Sequence, residues 1–200
     1  MKRKTLSFLV VALFTVTAGM AAQVNAASQE VQKQNLPSVQ AQANASWPIP
    51  VALPTQAEIV MKGGGIRDGR VVQIDEKEQK VWIQGGQGKV SIPLGQIDKI
   101  VFSKSAVVYD SNGGPVVRGD RTPAKGRPET WGGIPMNAFR LLDPNKGQAD
   151  VKLESVLSRD KLDSLRSVLV GDGKNKRQFV VDQMQFDVQK KTMTMAATPY

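Results

Sequence analysis

Arg118, Arg121, Lys125 and Arg127 crowd one short stretch ahead of Trp131, in "VVRGDRTPAKGRPETWGG". Cations beside an aromatic ring can hold an anionic polymer or an acidic protein surface. Asp120 and Glu129 partly neutralise the cluster, and ordinary solvated loop charge is the competing explanation. Arg118-Gly119-Asp120 also spells a tripeptide of cell-adhesion ligands, but three residues recur by chance and Asp is common in turns. Lys174, Lys176 and Arg177 make a second, smaller basic group that fits a decorated turn.

The remaining chemistry-bearing residues are sparse. Asp143, Asn145 and Asp150 around Gly147 offer oxygen ligands, as do Asp110 and Asn112. Neither set has the spacing of a calcium-binding EF-hand loop, and the first reads as a Pro-containing turn. Asp75 with Glu76 or Glu78 pairs carboxylates in a polar turn, whereas acid–base catalysis needs a pocket that shifts a pKa. Met184, Met193 and Met195 are core fillers before they are copper ligands. The glycines of "KGGGIRDGRVVQID" (62–75) lack the Lys-Ser/Thr end and the following helix of a phosphate loop, so they mark a strand corner. With no His and no Cys, imidazole triads, most zinc sites and disulfides are excluded. No cofactor and no metal is expected.

The elements that must carry these residues follow from composition and periodicity. Lys2, Arg3 and Lys4 precede an apolar run from Leu6 to about Ala18, and Val24-Asn25-Ala26 fits signal-peptidase cleavage after Ala26. That run is short for a membrane span. Residues 1–26 therefore read as a signal peptide and the chain as exported, to the periplasm or beyond. The net charge of +9 falls to +6 once Lys2, Arg3 and Lys4 are removed, a mild and evenly spread excess. Residues 27–56 are rich in Gln, Ala, Ser and Pro and read as a disordered or extended tether, with Trp47-Pro48-Ile49-Pro50 as its one fixed point. Residues 57–110 show β-branched residues at two-residue spacing between turn residues. Residues 111–136 read as a Gly/Pro-rich basic loop.

Residues 137–200 read as an antiparallel α+β module. It has two short strands around Asp143–Gly147, a short helix capped by Ser158 with Leu162, Leu165 and Leu169 on one face, and a C-terminal hairpin. No repeat period is visible. The fold class is thus mainly β, α+β overall.

The spacing Gly69-x-Val71-x-x-Ile74-Asp75, Val81-x-Ile83, Gly88-x-Val90-x-Ile92-Pro93-Leu94-x-x-Ile97 resembles the small SH3-like or Sm-like barrels of secreted bacterial proteins. The resemblance implies a small β-barrel over about 57–103 and binding of RNA, peptides or proteins, or a purely structural role, among which fold does not choose. Export and modest charge disfavour nucleic acid.

The functional expectation is an exported, non-catalytic binding or scaffold protein of the cell envelope. It would engage another protein or an anionic polymer through Arg118, Arg121, Lys125, Arg127 and Trp131. The rival class is a carboxylate-dependent hydrolase of envelope glycans, which would show two acids across a cleft within about 10 Å.

Overall fold

Short alternating runs separated by turn residues bury one face only when paired, so the chain's strands must find one another. The computed structural model describes residues 47–120, 123, 126–170 and 177–200, which fall within one compact unit. The strands are β1 (Ile49–Ala52), β2 (Ala57–Met61), β3 (Ile66–Asp75), β4 (Lys80–Gly85), β5 (Gly88–Pro93), β6 (Ile97–Phe102) and β7 (Val107–Tyr109). They continue as β8 (Pro115–Val117), β9 (Glu129–Pro135), β10 (Phe139–Asp143), β11 (Gln148–Val151), β12 (Phe179–Asp187) and β13 (Thr192–Pro199). One helix, α1 (Arg159–Leu169), is present among the described residues. The fold is mainly β, a curled half-barrel sheet plus a small two-stranded ribbon.

The large sheet runs β10-β11-β1-β12-β6-β2-β3-β4-β5, with β13 on β12 and β9 on β13, while β7 and β8 form the ribbon. Strand β12 is the seam. Phe179 and Val180 pair in parallel with β1, and Gln183 and Met184 pair antiparallel with β6. The two β-rich stretches therefore share one sheet. A single apolar cluster joins Val71, Ile97 and Ile100 to Trp131, Phe179 and Met195.

Two segment boundaries differ from those read in the sequence. Ile49–Ala52 is a strand with Ile49, Val51 and Ala52 buried, so the tether reading fails for this part of 27–56. Its prolines misled: Pro50 has no β12 residue opposite, since pairing with β12 begins at Val51, and its missing N–H costs nothing. Within 111–136, β8 and β9 replace much of the expected loop, and Gly132-Gly133 lies inside β9.

An internal repeat invisible in the sequence emerges from the pairing. Three hairpins, β3–β4, β10–β11 and β12–β13, each end their first strand on an aspartate: Asp75, Asp143 and Asp187. Each carboxylate accepts the N–H three residues on, from Glu78, Lys146 and Lys190. The fourth residue of each turn has positive φ: Gln79 at 52°, Gly147 at 64° and Lys191 at 52°. A third strand then lies along each hairpin in the same register, with Lys80 opposite Pro93, Gln148 opposite Ala52 and Thr192 opposite Pro135. The next N–H always reaches the positive-φ carbonyl: Leu94 to Gln79 (2.8 Å), Leu53 to Gly147 (2.7 Å) and Met136 to Lys191 (3.0 Å). Leu53, Leu94 and Met136 are all buried. The repeat shares almost no residue identity because it needs only an acceptor side chain, one left-handed residue and one apolar plug.

Candidate functional site

Of the basic–aromatic constellation read in the sequence, the structure internalises two members. Trp131 is 1% exposed in β9, and its ring meets Phe179 edge-on at 5.1 Å and 77°. It is a core residue and offers nothing to a partner. Arg118 is 4% exposed. Its Nη2 pairs with the Asp182 carboxylate, which also accepts the Thr198 hydroxyl (2.7 Å), and its guanidinium lies 5.8 Å from the centre of the Tyr200 ring. Asp182 is the extra residue of a bulge between Val181 and Gln183, so it leaves the alternation of β12 and turns toward Arg118. The pair ties the β7–β8 ribbon to β12 and β13, aided by Gln178 Nε2 donating to the Tyr109 carbonyl (2.7 Å). Arg118-Gly119-Asp120 forms a 3-10 turn. Arg127 is exposed, while Arg121 and Lys125 lie outside the described residues.

The other candidates take structural roles. Asp143 Oδ1 accepts the N–H groups of Asn145 (2.9 Å) and Lys146 (3.2 Å), and Asp150 pairs with Arg140 at 2.6 Å. Met184, Met193 and Met195 are buried in the core. Among the described residues no three acidic side chains gather as a metal site. The glycine corner is the turn from β2 to β3, with Gly64 and Gly65 at φ 87° and 88°. It borders an open concavity of about 550 Å³ flanked by Lys62 and Arg67.

A different surface gathers the features of a recognition site. Strand β1 brings Trp47 and Pro50 to one wall of a groove of about 430 Å³. Helix α1 brings Leu169, Val170 and Arg166 to the other, and Arg177 closes the rim. The helix forms where expected: Ser158 Oγ accepts the Lys161 N–H, Leu162 and Leu165 are buried, and Arg166 falls in the last turn. Arg166 Nη2 donates to the Trp47 carbonyl (3.4 Å) and Nη1 pairs with Asp163 (3.1 Å), which stitches the two walls together. Trp47 is 69% exposed and Val170 74%, while Ile49 beneath them is buried. Within the fixed point read at Trp47–Pro50, Ile49 is the residue that docks and Trp47 projects. The signal was present in the sequence as "WPIPVALP", where Ile49, Val51 and Leu53 recur at two-residue spacing.

Among the described residues, no carboxylate, hydroxyl or amide side chain lines the groove. A second concavity of about 480 Å³, beside Arg118, has one acid among its described lining residues, Asp182, engaged by Arg118 and Thr198. The described lining of neither concavity holds the two opposed acids of a glycosidase. No helix among the described residues is long and apolar enough to cross a membrane. Neither a family model nor a curated protein nor a solved structure matches the chain.

Proposed function

We propose that this protein is an exported, non-catalytic binding protein that holds another component of the cell envelope against the Trp47–Val170 groove. The observation that carries the reading is the convergence, between Arg166 and Arg177, of Trp47 and Val170, the two most exposed large apolar side chains among the described residues. Exposed apolar surface rimmed by charge is retained at a cost in solubility, and interaction sites are its usual reason. Export is supported by the basic–apolar–small order of residues 1–26. An SH3-like kinship for β2–β6 is supported by a five-strand run with a 3-10 turn, Leu94–Gln96, before the last strand.

The test is a photo-crosslinking residue placed at position 170 in living cells, with one at Gln87 on the far β4–β5 turn as control. Adducts specific to position 170 are expected. Equal labelling at both positions, or turnover of a defined substrate lost on Asp182→Asn, would overturn the proposal.

A further inference from the structure

We infer that the component gripped by the groove is the surface of a bilayer bearing anionic head groups. This rests on the binding reading above and names the partner's chemistry. Three observations point there.

The first is charge. The groove is bordered by Arg166, which also pairs with Asp163, and by Arg177, and no acid is among its described lining residues. Arginine forks match phosphate oxygens, and the chain keeps a net charge of +6 once Lys2, Arg3 and Lys4 are removed.

The second is the kind of apolar residue presented. Tryptophan is the side chain most at home at the boundary of head groups and hydrocarbon, and Val170 beside it offers a short aliphatic wedge.

The third is size. Two projecting apolar side chains expose far less than the roughly 800 Å² per partner of a stable protein interface. A lipid surface needs no such area, because its many phosphates add long-range attraction to shallow insertion.

The chain has no cysteine, so Val170→Cys creates a single site for an environment-sensitive dye. Gln87→Cys serves as the control. The labelled full chain is mixed with vesicles of phosphatidylglycerol and phosphatidylcholine in equal parts, or of phosphatidylcholine alone, with and without brominated acyl chains. The expected result is a blue shift and bromine quenching at position 170 only, and only with the anionic vesicles. Raising the salt should weaken it, and Arg166→Gln with Arg177→Gln should lower partitioning by about fivefold per arginine.

The local readout matters because residues 1–26 can bind vesicles unaided. If the chain sediments with vesicles while the dye at 170 stays unquenched, the inference is overturned. If the dye stays unquenched and the crosslinker at 170 captures a protein, the lipid assignment fails and the binding reading survives. If neither lipid nor protein is found at 170, both fall.

Discussion

The β10–β11–β1 meander shares register and turn geometry with its two counterparts, β3–β4–β5 and β12–β13–β9, but departs from both in kind at two positions. Gly147 stands where the others have Gln79 and Lys191, and Ala52 where they have Pro93 and Pro135. Both differences follow from what comes next in the chain. After Pro93 and Pro135 a 3-10 turn begins, and the carbonyls of Leu94 and Met136 accept from Ile97 and Phe139. After Ala52 no such turn forms, and the Leu53 carbonyl faces Gly147. A Cβ on Gly147 would sit 2.2 Å from that oxygen. Glycine is demanded by crowding there, whereas the left-handed backbone alone tolerates Gln and Lys.

The edge position tells a similar story. Each plug residue turns its N–H toward the hairpin, so the nitrogen just before it faces outward. In β1 that outward side meets β12, and Ala52 keeps its N–H. In β5 and β9 it meets no strand, and proline removes the donor, which blunts an edge that would otherwise recruit another chain. The same fold thus shows a paired edge and two closed ones.

The largest effect that would break this comparison is Gly147→Ala. It combines left-handed strain with a backbone clash and should cost at least about 3 kcal/mol, while Gln79→Ala and Lys191→Ala stay within about 1 kcal/mol. Urea denaturation of the three variants decides it, and equal losses would show that the repeats are not distinguished by Leu53. Next comes Arg118→Met, which strands the Asp182 carboxylate of the β12–β13–β9 meander. A loss of about 2–3 kcal/mol is expected, with about half recovered in the double variant that adds Asp182→Asn. Removal of a turn acceptor, as in Asp75→Ala or Asp143→Ala, should cost about 1 kcal/mol each.

Pro93→Ala and Pro135→Ala should leave stability nearly unchanged but promote self-association, visible by sedimentation velocity. Variants that sediment like the parent would remove the edge-closing role. The smallest effect is a pH one. The Lys190 backbone N–H, and then its ammonium, hold the Asp187 carboxyl below its ordinary value. A depressed acid contributes stability that is present above the ordinary carboxylate range and is lost as pH falls through the lowered value. Carboxyl NMR titration should place Asp187 low, and Lys190→Gln should raise it part of the way.

Much of the architecture was legible in local patterns. The inward set Leu94, Ile97 and Ile100 is fully buried, the Gly85–Gly88 turn closes β4 onto β5, and β12 and β13 form the closing hairpin. Ser158 caps its helix as its type and position imply. The candidate site was far less legible. The cluster around Trp131 looked like a loop because glycines and prolines surround it, yet β9 forms by pairing with β13, far along the chain.

What the sequence by itself determined is the menu of elements and the chemistry excluded: strands by alternation, turns by Asp and Gly, one capped helix, and no imidazole or thiol. These depend on neighbours within a few residues, where sterics and hydrogen bonds act directly. Only the tertiary structure decided that Trp131 and Arg118 go inside, that Ile49–Ala52 is a strand between β11 and β12, and that Trp47 projects beside Val170. Burial is a property of the assembled sheet, set by which distant strand lies opposite, and no local pattern encodes that choice.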